Sequence, residues 1–149
     1  MKKMLFKLIA VVLSNYGFAQ KIHIKNVPDV VKTAFESQFK NVSDIEWEKE
    51  GDLYEVEFEM SETEHSVVYD GAGNLLETEI EIKISELPES ITEYIKANYK
   101  SKIKEASKIT DSLGTETFEV EIKGKDLIFD YNGTLIKSKK IKSISVFLD

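Results

Sequence analysis

The chain of 149 residues contains no cysteine. This absence excludes disulfide bonds, thiolate metal sites, thiol nucleophiles and a lipid anchor attached through cysteine. Histidine is also scarce, because His23 and His65 are the two that occur and they lie in different contexts. Neither has a partner at helical spacing, so the sequence predicts no metal-binding histidine pair and two ordinary strand or loop histidines.

Catalytic and cofactor motifs are missing as well. Serine is frequent, but no serine lies in a Gly-x-Ser-x-Gly nucleophile elbow. The run Gly71-Ala72-Gly73 lacks the third glycine and the following helix of a dinucleotide loop. We therefore expect a protein that is not an enzyme and that needs no cofactor.

Long apolar runs are absent beyond the beginning of the chain. Residues 4–13 are mostly apolar, two lysines precede them, a third interrupts them, and the small residues Gly17 and Ala19 follow. This pattern predicts a signal peptide over residues 1–19, cleaved before Gln20. The alternative is an uncleaved anchor, although the run is shorter than the ~20 residues that span a bilayer. We expect an exported protein, periplasmic or secreted, with no membrane contact after cleavage. The lysines are Lys2, Lys3 and Lys7.

Negative charge is concentrated in one half of the chain. Residues 21–86 carry 17 acidic residues and 6 lysines, and residues 87–149 carry 10 acidic residues and 11 lysines. The net charges are therefore −11 and +1. A strongly negative surface repels phosphate backbones, so we expect no nucleic-acid partner.

The sequence contains two similar passages. Each begins with an apolar residue and a proline, continues through an apolar stripe of helical spacing, and then alternates glutamate with apolar residues. Each ends in an Asp-x-x-Gly turn followed by another strand-like segment. The matching pieces are Val27-Pro28 and Leu87-Pro88, Tyr54 to Phe58 and Phe118 to Ile122, and Tyr69 to Leu76 and Phe129 to Ile136.

The periodicities predict an α+β protein built as a tandem repeat. Each unit is expected to contain one helix, Pro28 to Lys40 or Pro88 to Lys100, followed by a three- to four-stranded antiparallel sheet. The helix should cover one face of the sheet and leave the other to solvent. We assign residues 20–86 to the first unit and residues 87–149 to the second. Since a unit of ~60 residues buries little surface, we expect the two to pack as one domain.

These motifs resemble those of the PepSY-like, β-lactamase-inhibitor-like proteins that Bacteroidetes-type bacteria secrete. The resemblance rests on the Val-Pro or Leu-Pro helix opening, the Tyr/Phe-Glu-Val-Glu strand and the Tyr/Phe-Asp-x-x-Gly-x-Leu turn, and it covers nearly all of residues 27–141. It implies a helix-plus-sheet fold. It also implies inhibition of a peptidase or another hydrolase, through a sheet surface that grips the enzyme.

Glutamates occupy alternate positions of three predicted strands. Side chains two residues apart share a face, so the sequence predicts rows of carboxylates. One interpretation is a solvated face that maintains solubility, and the other is a docking face for a basic partner, peptide or cation. The predicted partner-binding residues are Glu55, Glu57, Glu59, Glu77, Glu79, Glu81, Glu119 and Glu121.

The Asp-x-x-Gly segments have two interpretations. Asp70, Asn74 and Glu81 match three ligand offsets of a calcium-binding EF-hand loop. However, strands rather than helices flank the segment, and Leu75 occupies the place of the sharp-turn glycine. We therefore predict tight turns in which Asp accepts backbone hydrogen bonds and Gly adopts a left-handed angle.

The sequence as a whole predicts an exported binding module that presents an acidic sheet face to a protein or peptide. Inhibition of a peptidase or hydrolase is the specific form implied by the resemblance. The alternatives are a structural or stress-related envelope protein without inhibitory activity, and a weak cation-binding protein that uses the glutamate rows.

Overall fold

The computed structural model describes residues 19–140. The predicted signal segment up to residue 18 therefore lies outside the described residues. The sequence allows either a last strand or a loose end at Phe147 and Leu148, and these residues also lie outside the described ones. Within residues 19–140, no helix has the length and apolar character needed to cross a bilayer.

Between residues 19 and 140, the regular structure consists of two α-helices and nine β-strands, together with short 3₁₀ turns at Ile24–Asn26 and Ile84–Glu86. Helix α1 is Asp29–Gln38 and helix α2 is Glu89–Asn98. The strands are β1 (Gln20–Ile22), β2 (Ser43–Glu50), β3 (Leu53–Met60), β4 (Thr63–Asp70), β5 (Leu75–Ile82), β6 (Ile103–Asp111), β7 (Glu116–Ile122), β8 (Lys125–Asp130) and β9 (Leu135–Lys140).

Both predicted helices are present, and proline begins each of them. Pro28 and Pro88 are the N-cap residues, where the absence of a proline N–H leaves no helical hydrogen bond unmade. The helices end two residues before the predicted lysines, because Phe39 and Tyr99 already have extended backbone angles. Their N–H groups still donate to the carbonyl oxygens four residues earlier, at 2.9 and 2.8 Å.

The described chain divides into two compact units, with the boundary after Ile80 and inside β5. The sequence placed this boundary after Glu86. The first unit contains α1 and the second contains α2. The expectation that the two units pack as one domain stays a prediction.

In the first unit, four successive antiparallel pairings join β1 to β2, β2 to β3, β3 to β4 and β4 to β5. Helix α1 packs against one face of these strands, because its apolar stripe and the inward positions of β2, β3 and β4 form a single cluster. The fully buried members of that cluster are Val27, Val31, Phe35, Trp47, Val56, Phe58, Val67 and Tyr69.

In the second unit, antiparallel pairings join β6 to β7, β7 to β8 and β8 to β9. Helix α2 contributes to a separate core with the inward positions of β6, β7 and β8. The buried members are Leu87, Ile91, Ile95, Ala106, Phe118, Val120, Ile122, Leu127 and Phe129.

The predicted fold class is wrong, because the protein is dominated by sheet to a greater extent than a tandem repeat of a helix and a small sheet. Nine antiparallel strands accompany two helices of ten residues each. The first unit contains a strand, β1, that precedes its helix and pairs Lys21 with Glu48 of β2. Three residues are too few to show a periodicity, so sequence patterns could not reveal this strand.

Candidate binding face of the first unit

The core of the first unit determines which side chains point away from α1. Val56 and Phe58 of β3 contact the helix, so the alternating residues Glu55, Glu57 and Glu59 lie on the opposite face of the sheet. Cross-strand pairing then adds the glutamates of the neighbouring strands to the same face. This acidic face consists of Glu46, Glu48, Glu55, Glu57, Glu59, Glu64, Glu77 and Glu79.

Several carboxyl groups of the acidic face stand directly opposite one another. Glu46 pairs with Glu57 in the register of β2 and β3, and Glu59 pairs with Glu64 in the register of β3 and β4. Lys21 of β1 lies beside them, with its Nζ 2.6 Å from Glu46 Oε2. Opposed like charges destabilise a sheet by a few tenths of a kcal/mol per pair. Either some of these carboxyl groups are neutral, or their repulsion is offset by a positive group that they bind.

The middle of the acidic face is buried, in contrast to the solvated rows expected from the sequence. Glu55, Glu77 and Glu79 are 4%, 3% and 3% exposed, whereas Glu57 and Glu59 are half-buried. Neighbouring strands are about 4.8 Å apart, so long side chains on one face cover each other. Glu55 Oε1 accepts a hydrogen bond of 2.6 Å from Ser66 Oγ across the β3–β4 pair.

Burial changes the protonation of the two central carboxyl groups. Loss of solvent raises the pKa of Glu55 to about 9, and the hydrogen bond from Ser66 opposes this shift. The pKa of Glu57 is raised to about 7, first by burial and then by the charges of Glu48 and Glu46. The acidic face is thus less negative near neutral pH than its eight carboxyl groups would imply.

The other three predicted partner-binding residues belong to the second unit. Glu81 begins that unit and is half-buried. Glu119 and Glu121 alternate with Val120 and share the face opposite α2, where Glu121 Oε1 is 3.0 Å from Lys104 Nζ. The structure therefore brings together five of the eight predicted residues in the first unit.

The sequence interpretation missed Glu46, Glu48 and Glu64 on the acidic face. The signal was present in the alternation of Glu46, Trp47 and Glu48, which is a half-buried strand pattern. Glu64 could not be found in this way, because only the β3–β4 register places it opposite Glu59.

Each of the two histidines contacts neighbouring parts of the protein. His65 is buried and stacks on Phe58, with ring centroids 5.3 Å apart, and burial lowers its pKa. His23 precedes the first 3₁₀ turn, and its Nδ1 accepts a hydrogen bond from the backbone N–H of Lys25. Within residues 19–140, no group of three or more acidic or histidine side chains has the arrangement of a metal site.

The predicted aspartate turns are confirmed. Asp70 Oδ1 accepts from the backbone N–H groups of Ala72 and Asn74, both at 2.9 Å, and Gly73 has φ +82°. Asp130 makes the same contacts two and four residues later. These bonds lower the pKa of Asp70, with the Asn74 side chain as the largest contributor.

Comparison with known proteins places the chain in a family. The family model described as beta-lactamase-inhibitor-like, PepSY-like matches residues 18–77 and 53–137. The chain belongs to this family. No curated protein matches it.

Solved structures from Bacteroides show the same fold as this PepSY-like chain. A protein of Bacteroides eggerthii described as periplasmic has a TM-score of 0.69 and 13% identity, covering 77% of this chain and 89% of its own. A DUF2874 family protein of Bacteroides uniformis has a TM-score of 0.68 and 14% identity, with coverages of 78% and 91%. A BLIP-like protein of Bacteroides fragilis has a TM-score of 0.60 and 24% identity, with coverages of 76% and 86%.

Proposed function

We propose that this PepSY-like chain is an exported, non-enzymatic binding module whose acidic face docks a basic segment of a protein or peptide. The observation that carries the proposal is the alignment of eight glutamates on the side of the first unit that α1 leaves uncovered. The family description and a structural neighbour described as periplasmic support a binding role in the envelope.

Electrostatics favours a cationic partner. Pairs such as Glu46 with Glu57 repel one another in the free protein, and a lysine or arginine placed between them would relieve that repulsion. A concentrated negative field also accelerates the encounter with a positive partner. The structural or stress-related role and the weak cation-binding role remain the alternatives to this proposal.

An oligolysine peptide tests the proposal directly, with an oligoglutamate peptide as its control. We expect calorimetry to detect binding of oligolysine at low salt, and raising the salt to about 0.15 M should weaken it markedly because the charges are then screened within about 8 Å. Binding that is indifferent to salt, or equal binding of the two peptides, would contradict the proposal.

Charge reversal identifies the face that binds. Glu57→Lys combined with Glu59→Lys changes half-buried residues of the acidic face and should weaken oligolysine binding by about tenfold or more. Glu36→Lys combined with Glu93→Lys makes the same change in charge on exposed helix positions and should have little effect. Equal losses in the two double variants would show that net charge, rather than the acidic face, determines binding.

Inhibition of a hydrolase is the specific form of binding that the family description favours. Capture with the mature protein from an envelope extract should recover one hydrolase in stoichiometric amount. Adding the protein to that purified hydrolase should then lower its activity, and the Glu57→Lys, Glu59→Lys variant should not. A captured partner whose activity is unchanged would leave binding intact and remove the inhibitory role.

A further inference from the structure

The first unit contains a cavity of about 270 Å³ beside the C-terminal half of α1. Its wall is mostly apolar and aromatic. Phe35 lies between two other rings of the wall, with its centroid 5.6 Å from Phe39 and 5.5 Å from Trp47. Ile24, Val42 and Ile45 complete the apolar part of the lining. This volume is at the small end of pockets that hold organic molecules, about 300 Å³ and above.

Trp47 is a lining residue, and its indole N–H is a buried hydrogen-bond donor. The residue is 5% exposed, and its Nε1–H has no hydrogen-bond partner within residues 19–140. An indole N–H can only donate, so its missing partner must be an acceptor. Unpaired buried donors are costly in native proteins, and a ligand that offers an acceptor oxygen would remove this cost.

Two apolar side chains of the lining remain open to solvent. Ile24 and Ile45 are 46% and 43% exposed, on the 3₁₀ turn and on β2. Asn41 and Asp44, with φ of +57° and +51°, lie where the chain passes from α1 into β2, and Asn and Asp adopt this region more readily than other non-glycine residues. The cavity thus keeps exposed apolar surface on both the 3₁₀ turn and β2.

The charges of the lining favour an anion with a single charge. Lys40 Nζ donates to the backbone carbonyl oxygen of Glu36, a neutral group, so this bond does not compensate its charge. Lys32, in contrast, is paired with Asp29 at 2.7 Å. The Glu36 side chain is the acidic group of the lining and disfavours a more highly charged ligand.

The aromatic wall is specific to the first unit. Trp47 pairs with Val56 in β3, and the residue that pairs with the corresponding Val120 of β7 is Ala106. Phe35 of α1 likewise corresponds to Ile95 of α2, each being the buried residue four positions before the helix-ending aromatic. The second unit forms the same helix-plus-sheet pattern without these two aromatic residues. The pattern therefore does not require the aromatic side chains of the cavity wall.

We propose that this cavity binds a small apolar monocarboxylate. The apolar chain lies against Phe35, Phe39 and Ile45, and the carboxylate accepts hydrogen bonds from the Trp47 indole and the Lys40 ammonium group. A carboxylate supplies two acceptor oxygens and one negative charge, which match the two donors. The site is separate from the acidic face, since its lining lies on the α1 side of the sheet.

Decanoate is a suitable probe, because Trp47 is the one tryptophan of the chain and lines the cavity, so that its fluorescence responds to a ligand bound there. We expect decanoate, kept below its micellar concentration, to change the emission in a saturable manner. Decanol, with the same chain and no charge, should bind about tenfold more weakly. Decyltrimethylammonium, with the opposite charge, should bind more weakly still.

Matched lysine variants locate the carboxylate. Lys40→Gln should lower the affinity for decanoate about tenfold, while Lys100→Gln, at the same place beyond α2, should leave it unchanged. Trp47→Phe keeps an aromatic ring and removes the N–H, and calorimetry should show a similar loss. Far-ultraviolet circular dichroism confirms that each variant is folded.

Three results would overturn the proposal. The first is an emission that decanoate does not change up to millimolar concentration. The second is equal binding of decanoate and decyltrimethylammonium, which would show non-specific apolar adsorption. The third is equal affinity of the Lys40→Gln and Lys100→Gln variants, which would place the carboxylate elsewhere.

Discussion

The burial and the raised pKa of Glu55 cannot be predicted from its position in the sequence. Alternation with Val56 correctly predicts that it points away from the helix. Its 4% exposure and raised pKa depend instead on neighbouring strands: burial raises the pKa most, the charges of Glu48 and Glu79 add to the rise, and the hydrogen bond from Ser66 opposes it. Strand periodicity fixes the face of a residue, but cross-strand neighbours fix its solvation, so the buried middle of the acidic face could not be predicted.

The raised pKa of Glu55 predicts a pH-dependent stability. Between its ordinary pKa of 4.5 and the folded value of about 9, the folded protein holds a proton that the unfolded chain has lost. The stabilisation is complete below pH 4.5 and is lost as the pH rises towards 9. Denaturant unfolding between pH 5 and 9 should show the free energy of unfolding falling by several kcal/mol in the natural protein.

Glu55→Gln removes one titrating group while keeping the shape of the side chain, so its stability should fall less over the same pH range. The slope that remains should lie mainly below about pH 7, because the pKa of Glu57 is also raised, to about 7. Glu36→Gln on the exposed side of α1 serves as the control and should retain the full slope. If Glu55→Gln and Glu36→Gln have the same pH profile, Glu55 is charged in the folded protein at neutral pH and the buried arrangement described above is incorrect.

At the scale of elements, the turns are the part that sequence predicts best. The aspartate turn depends on residues within five positions, so the Asp70 and Asp130 segments could be recognised from their composition alone. A third such turn went unnoticed at Asp111, whose Oδ1 accepts from the backbone N–H groups of Leu113 and Thr115. Its signal, Asp followed three residues later by Gly, is identical to that of the other two.

The turn after β8 lies against the beginning of α2, and this contact predicts a difference between two glycines. Gly133 has φ +84°, and an added Cβ would lie 2.7 Å from Ser90 Cβ. Gly124 has φ +78° but open space around it. Both alanine substitutions incur the left-handed penalty, about 1–2 kcal/mol, while Gly133→Ala also overpacks the contact at about 1–3 kcal/mol.

Urea unfolding measures this difference, with Gly124→Ala as the reference that isolates the backbone term. We expect the midpoint of Gly133→Ala to be clearly lower than that of Gly124→Ala, with similar slopes for the two. Equal midpoints would mean that the turn and the helix separate without cost, so that the turn does not rest on α2 in solution.

For the whole molecule, the expectation that two units of about 60 residues pack as one domain implies that they share one cooperative transition, since each alone buries little surface. Trp47 reports on the first unit only. Ile95 is 2% exposed in the core of the second unit, so Ile95→Ala should cost about 2–5 kcal/mol. If the units unfold together, this variant must shift the transition that Trp47 fluorescence reports.

The unfolding transition reported by Trp47 fluorescence is compared with the transition reported by circular dichroism, which follows all strands. We expect the two probes to coincide in Ile95→Ala as in the natural protein, both at lower denaturant concentration. Lys96→Ala, on the exposed side of the same helix, should shift neither. A Trp47 transition that stays in place while circular dichroism becomes biphasic would mean that each unit folds independently.

The sequence predicted the two helices and the central strands, but it underestimated the share of the chain that forms strands. The change of period after each proline-initiated helix identified the helices and the central strands, because long periodic segments carry a strong signal. The amount of strand was underestimated because two strands show little periodicity: β1 has only three residues, and β2 begins with an irregular register between Ser43 and Glu46. Hydrogen bonding to a neighbouring strand, rather than local pattern, makes such segments extended.

Strand β9 has a consequence for how the protein behaves at high concentration. It is the last strand within residues 19–140, where it pairs with β8, and Lys137 and Lys140 are exposed along it. Exposed lysines on a strand at the margin of a sheet oppose recruitment of identical strands from other molecules, because each added copy would stack positive charge on positive charge. Crowded copies of the protein should therefore stay dispersed instead of growing into fibrils.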